Sequence, residues 1–264
     1  MRWTERQLAM LEAMGIRLWG PAGDRSTAFA EKTSPRGPDD GPEAASAVAA
    51  APASDVRGSP TRRAAEPRMA GAPGVWRVLA DEAAGCTACA LCAGRTRSVF
   101  GTGHPQADWL ILGDAPEADD DRSGEPFAGR TGRLLDNMLG AVGLSRAEAP
   151  AGRRVYLTQA VKCHPPNGRA PEAAELAACE PFLRRQVALV QPRVIVALGR
   201  AAAQALLGSA EPIGRLRGRV HRYAGVPVVA THHPLFLLRH AQAKAEAWDD
   251  LCLAVETVMD SSGG

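Results

Sequence analysis

Trp109-Leu-Ile-Leu-Gly113 is a five-residue apolar run that passes straight into Asp114-Ala-Pro116. Its length and its lack of polar alternation predict a strand buried on both faces. Three further runs have the same character: Val155-Tyr-Leu-Thr158, Val194-Ile-Val-Ala-Leu198 and Val226-Pro-Val-Val-Ala230. Helical spacing of apolar residues marks 132–142, 171–190, 200–207 and 241–258. Strands alternating with helices predict an α/β fold, a three-layer α/β/α sandwich around a central four-stranded, mainly parallel sheet. In such sheets ligands bind beyond the carboxyl ends of the strands. That rule selects Asp114, Gln159, Gly199 and the stretch from His232 to Pro234.

Around this core the chain divides into three parts. Residues 1–20 place Leu8, Leu11, Met14 and Leu18 at helical spacing, a short amphipathic helix. Residues 21–74 are rich in Ala, Pro and Gly without apolar periodicity, the composition of a disordered linker. The folded domain is expected over 75–260. A hydrophobic content of 45% in 264 residues suffices for a core, and the net charge of +2 is too small to argue for nucleic-acid binding on its own. Lysine occurs only at 32, 162 and 244, so the positive charge is nearly all arginine. No apolar run is long enough to span a bilayer, and the first residues lack a secretory pattern. A cytoplasmic monomer with no membrane association is expected. In that reducing compartment the six cysteines are ligands or buried thiols rather than disulfides.

Four of those cysteines fall in two sets. Cys86 and Cys89 form a C-x2-C pair, whereas Cys163 and Cys179 lie far downstream. Such a split suits a structural metal or an iron–sulfur cluster that staples distant segments, although C-x2-C alone also suits a redox dithiol. Two loops at strand ends complete the candidate chemistry. Residues 113–130 form a Gly- and Pro-punctuated acidic loop with one aromatic, able to wrap a small flat ligand. Thr231-His-His-Pro-Leu-Phe-Leu-Leu-Arg239 joins imidazoles to an apolar run, and a wedge into a nucleic-acid stack is one use for it.

These residues carry a resemblance. From Cys86 to Leu251 the chain resembles the iron–sulfur, family 4 type of uracil-DNA glycosylase. The likeness runs through Cys-x2-Cys-x-Leu-Cys92, Arg95, Val99-Phe-Gly-x-Gly103, Gly113-Asp-Ala-Pro116, Gly124-x-Pro-Phe127, Gly129-Arg130, Leu134-Leu135, Val161-Lys-Cys-x-Pro-Pro166, Leu198-Gly199, Leu216-Arg-Gly218 and His233-Pro-x-x-Leu-Leu-Arg239. The resemblance implies a base-excision repair enzyme that flips uracil out of DNA and hydrolyses its N-glycosidic bond. It implies Cys86, Cys89, Cys163 and Cys179 as [4Fe–4S] ligands, leaving Cys92 and Cys252 to packing. It also implies Ala115, Phe127, Gln159 and His233 as the base-binding set, with Phe127 stacking and Gln159 reading the pyrimidine edge. His233 would stabilise the leaving base, and either Asp114 or Asp120 would position the water or the site would rely mainly on leaving-group stabilisation. Leu235, Phe236, Leu237 and Arg239 would enter the DNA, with Arg95, Arg97, Arg130 and Arg217 as further phosphate partners.

Three positions depart from the family pattern: Asp114 replaces a longer acid, Glu117 replaces a glycine and Gln159 replaces an asparagine. If the backbone at 117 needed φ > 0, a side chain there would be costly. Lys162 abuts a cluster cysteine and Lys244 lies on a late helix, so no amine is placed for lyase chemistry and monofunctional hydrolysis is expected. The alternative is a diverged DNA-binding member of the same superfamily, non-catalytic or altered in base preference. Separately, Gln7-Leu-Ala-Met-Leu11 loosely resembles a peptide that binds a replication sliding clamp.

Overall fold

A computed structural model describes residues 73–147 and 149–261. The expected helix at 1–20 and the clamp-like peptide at 7–11 lie outside them, as does the linker except for its last two residues, which open the first helix.

In chain order the elements are α1 (Pro73–Ala84), a 3-10 turn at Ala90–Ala93, β1 (Thr102–Gly103), β2 (Trp109–Gly113), α2 (Ala118–Ser123), α3 (Arg130–Ala141) and β3 (Val155–Gln159). There follow α4 (Ala173–Val190), β4 (Val194–Leu198), α5 (Arg200–Leu207), α6 (Ile213–Leu216), β5 (Val220–Tyr223), β6 (Val226–Thr231), α7 (Pro234–Arg239) and α8 (Ala243–Asp260). The sheet order is β1-β3-β2-β4-β6-β5. The four expected strands are the parallel ones: β2 pairs β3 and β4, and β4 pairs β6. The expected count of four grows to six because antiparallel β1 and β5 close the two edges. Neither has the buried apolar run that betrays a central strand. β1 has two residues, and β5 alternates exposed and half-buried positions.

Every residue of β2, β3 and β4 is buried, which is why those sequences read as unbroken apolar runs. Alternate side chains serve opposite faces. Trp109, Ile111, Leu157, Val196 and Val229 pack under α3 and α8 through Leu135, Met138, Leu251 and Ala254. Leu110, Leu112, Tyr156, Ile195 and Val228 pack under α4, α5 and α6 through Leu183, Val187, Leu206 and Leu216. Those two covered faces make the three layers. No helix among the described residues is long and apolar enough to cross a membrane.

Topology locates the site. The chain leaves β2 toward β3 on one side, and leaves β4 toward β6 on the other. A crevice therefore opens between the carboxyl ends of β2 and β4, where the connections diverge, and such crevices are where ligands bind in open α/β sheets.

Candidate functional site

Asp114 and Gly199 face each other across this crevice. Gly199 has φ 103°, and a Cβ there would run into the Asp114 carboxylate. Asp114 Oδ1 accepts the Ala202 N–H at 2.8 Å, with Ala201 as a second backbone donor, so the carboxylate sits on the unpaired amides that open α5. Burial outweighs those bonds and pushes the Asp114 carboxyl up to about 6. It is ionised at neutral pH and still borders the open groove beyond the crevice.

β3 delivers Gln159, whose orientation is set by Asp120. The Asp120 side chain is buried and accepts Ala128 N–H at 2.8 Å, Glu117 N–H at 3.2 Å and Gln159 Nε2 at 3.2 Å. Burial pushes its carboxyl up and these hydrogen bonds pull it back. A carboxylate offers acceptors only, so Gln159 turns its NH2 toward Asp120 and its Oε1 away. That Oε1 is buried and has no partner. Asp120, expected as an alternative holder of the water, thus has both oxygens engaged in orienting Gln159 and the loop.

β6 and α7 deliver His233. Its Nδ1 accepts the Leu235 N–H at 3.2 Å, which fixes the ring proton on Nε2. Nε2 is likewise buried without a partner, and burial pushes the imidazole down to about 4. His233 is therefore a neutral hydrogen-bond donor at neutral pH. Phe127 lies against it, ring centroids 5.9 Å apart at 29°. Phe127 has φ 57°, a conformation that costs a bulky residue strain and that the surrounding loop must enforce. Beneath, Gly113 supplies the floor: a Cβ there would run into both the Gln159 Oε1 and the Phe127 ring. Between 1% and 3% of Gln159 and Phe127 is exposed, so both stand behind the groove rather than on its wall.

The groove is bordered by Asp114, Ala115, His164, His233, Leu235 and Arg239. His164 Nδ1 donates to the Pro116 carbonyl at 2.7 Å, tying the loop after β3 to the loop after β2. Glu117 has φ −84° and ψ 173°, an extended backbone that any residue adopts, so the anticipated penalty for a side chain does not arise. It caps α2 in a reciprocal box with Asp120. Burial pushes the Glu117 carboxyl up, against a hydrogen bond from Thr131 and the charge of Arg239.

Three expectations change. Leu237, expected to enter DNA, is 1% exposed and belongs to the core, because on a helical turn it faces the sheet while Phe236 and Leu238 face outward. Arg95, expected at a phosphate, instead donates from Nη1 to Cys163 Sγ at 3.3 Å and from Nη2 to the Ala84 carbonyl. Arg217 is held by Asp250 at 3.0 Å and by the Glu246 carbonyl at 2.7 Å. Arg130 and Arg239 do border the groove side, next to Leu235 and Leu238.

Cys86, Cys89, Cys163 and Cys179 line one small cavity. Cys92, expected only to pack, lines it too. The thiols of Cys86 and Cys89 act on Cys163, and those of Cys89 and Cys163 on Cys179. Burial pushes the Cys163 and Cys179 thiols up, while Arg95 and Lys162 respectively favour their thiolates. None of the described cysteines is in a disulfide. No three His, Cys, Asp or Glu side chains among the described residues converge closely enough to hold a single ion. Soft thiolates are the ligands that iron–sulfur clusters take, so the donor chemistry fits such a cluster.

Lys162, weighed in the sequence only as an amine for lyase chemistry, has a structural role instead. Fully buried, its Nζ donates to Thr158 Oγ1 at 2.7 Å and to the Gln159 carbonyl at 2.6 Å, and burial pushes it down to about 8. It clamps the end of β3 from below, and only its place beside Cys163 hinted at a role.

A family model described as the uracil DNA glycosylase superfamily matches residues 100–252. The type-4 uracil-DNA glycosylase of Pyrobaculum aerophilum is 37% identical over 176 residues, 64% of this chain and 87% of that protein. The type-4 enzyme of Archaeoglobus fulgidus is 37% identical over 180 residues, 65% of this chain and 87% of that protein. A type-5 uracil-DNA glycosylase of Thermus thermophilus is 42% identical over 120 residues, 42% of this chain and 54% of that protein.

Proposed function

Since the chain belongs to the uracil DNA glycosylase superfamily, we propose that the crevice between β2 and β4 is where uracil, turned out of DNA, loses its N-glycosidic bond to water. The chain is a monofunctional uracil-DNA glycosylase that excises uracil in DNA repair. One observation carries the site assignment: Gln159 Oε1 and His233 Nε2 are a buried acceptor and a buried donor, both without partners, beside Phe127. Leaving each unpaired costs about 1–3 kcal/mol. Uracil offers the missing complement, an N3–H for Gln159 and a carbonyl oxygen for His233. Cytosine presents a lone pair at N3 and would meet the Gln159 oxygen with repulsion.

In this reading His233 donates from Nε2 to the uracil O2 as negative charge develops on the departing base. A neutral imidazole suits that task, because it stabilises the oxyanion without surrendering its proton. Asp114 holds the attacking water with the carboxylate edge not bound to α5, and Asp120 acts only through Gln159. Phe127 supports the pyrimidine ring, and the backbone at Ala115 borders it. Leu235, Phe236, Leu238, Arg130 and Arg239 form the DNA face. Cys86, Cys89, Cys163 and Cys179 would hold a [4Fe–4S] cluster, which when bound supplies a staple between the segment after α1, the loop after β3 and α4. Arg95 then donates to a ligand sulfur and offsets the charge of the thiolates. Thiolate ligands agree with a reducing, cytoplasmic compartment.

The deciding assay uses cluster-loaded full chain with single-stranded and duplex oligonucleotides that carry one uracil or one cytosine at the same position. Release of free uracil, with cytosine left in place, is the expected result. Tight binding of the uracil strand without release would favour the non-catalytic member of the superfamily instead.

A further inference from the structure

α7 sends its side chains three ways. Leu235, Leu238 and Arg239 border the groove side, Leu237 enters the core, and Phe236 with His240, one turn apart, occupies the remaining flank. On that flank three rings form a column. His232 and Phe236 lie 5.0 Å apart at 19°, and Phe236 and His240 lie 4.1 Å apart at 28°. The inner ring is fixed: His232 is buried, and its Nε2 donates to Glu246 Oε2 at 2.8 Å. The hydrogen bond from His232 holds the Glu246 carboxyl below its ordinary value, assisted by the charge of Arg217.

This column changes what Phe236 can do. Although 41% exposed, it carries an imidazole on each face and cannot slide between two bases as a free plate. His240 ends the column: it is exposed and meets Phe236 with one face only. The outer ring belongs to the residue after Arg239, and Arg239 lines the groove, so the column ends next to the groove wall along the chain.

We propose that the outer face of His240 is a stacking platform for the nucleobase adjoining the extruded uracil on the same strand, an inference that rests on the uracil-excising reading of the crevice. Turning a nucleotide out of the stack leaves its neighbours without a partner on one face, a loss of a few kcal/mol. An aromatic ring restores it without regard to which base is present, since every base has a π-face. Arg239, the preceding residue, lines the groove and offers its guanidinium there to the backbone phosphate of the same strand. Phe236 and His232 act as positioning residues that keep the imidazole plane fixed.

The test is a coupling measurement on the full, cluster-loaded chain. Single-stranded oligonucleotides carry one 2′-fluoro-deoxyuridine, which resists hydrolysis, and the nucleotide on its 5′ or its 3′ side is intact or replaced by an abasic spacer. The parent protein should lose about tenfold in Kd when the spacer stands on one side and much less on the other. His240→Ala should lose about tenfold on the intact strand and nothing further with the spacer on the sensitive side, and His240→Trp should restore both the affinity and the sensitivity. Losses that multiply in the Ala variant, or a parent protein indifferent to the spacer on both sides, would overturn the platform. A parent protein that releases no uracil from ordinary substrate would count against the reading of the crevice, and the coupling would still decide the platform.

Discussion

The cysteine cavity and the base recess lie at opposite ends of one short stretch, Gln159 to Cys163, and they are specified in different ways. The cavity depends on residue type: five thiols brought to one space, with Arg95 and Lys162 beside them. The recess depends on relationships. Gln159 presents its oxygen because Asp120 takes its nitrogen, and His233 presents a proton because Leu235 takes its lone pair. A thiol set can be recognised residue by residue, whereas a recess built from fixed orientations tolerates Asp114, Glu117 and Gln159 so long as their partners hold them. Lys162 joins the two, since it neighbours the Cys179 thiol and grips the Gln159 carbonyl.

Breaking the cavity should therefore break the recess, while the reverse should not hold. Cys163→Ser is expected to remove iron and the visible absorbance of the cluster, and to lower uracil release by at least about a hundredfold through displacement of the neighbouring reading loop. Iron analysis and initial rates check both. Iron loss with full activity would separate the two regions. His233→Ala should leave iron content and melting temperature near those of the parent while kcat falls about 10²–10³-fold, the cost of one donor at a developing oxyanion.

A third variant pair sharpens the division of α7. Leu237→Ala opens a hole in the core and should cost about 2–4 kcal/mol of stability, read as a lower Tm or urea midpoint. Phe236→Ala should cost much less stability and instead weaken DNA binding. Equal losses of stability would contradict the outward placement of Phe236.

The pH profile separates the two titrating groups of the recess. Asp114, pushed up to about 6, gains a proton as pH falls through that value, so kcat should drop about tenfold per unit below it. His233 stays neutral down to about 4 and adds nothing to this limb. In Asp114→Asn the residual rate should lose the limb. The two groups act oppositely on stability. His233, depressed below its ordinary 6.5, contributes fully above that pH and its contribution is lost as pH falls toward 4. Asp114, raised from 3.8, loses stability as pH rises from 3.8 to about 6. The smallest expected effect is Gln159→Asn. A shorter amide draws back from Gly113 and enlarges the recess, so kcat/KM for uracil should rise about tenfold, part of the roughly hundredfold that a misplacement of about 1 Å can cost. A fall would mean that the longer amide is the fitted one.

Much of this was legible in the sequence, for identifiable reasons. β2, β3, β4 and β6 announce themselves because parallel strands buried on both faces need unbroken apolar runs. β1 and β5 leave no such trace, being short edge strands. The run from Leu235 to Leu238 looked uniformly apolar, and only the helical rotation of α7 separates buried Leu237 from exposed Phe236 and Leu238. Arg95 and Arg217 looked like any other arginine until Cys163 and Asp250 appeared beside them.

The sequence by itself determined the order of the four parallel strands, the positions at their ends and the spacing of the cysteines, because each is written in local spacing or in residue type. The tertiary structure decided which way the amide of Gln159 faces, which nitrogen of His233 holds its proton and why Asp114 sits near neutrality. Those follow from partners that only the sheet brings together. Gln159 meets Asp120 across 39 residues and Asp114 meets Ala202 across 88, and no local pattern records a hydrogen bond made at such separation.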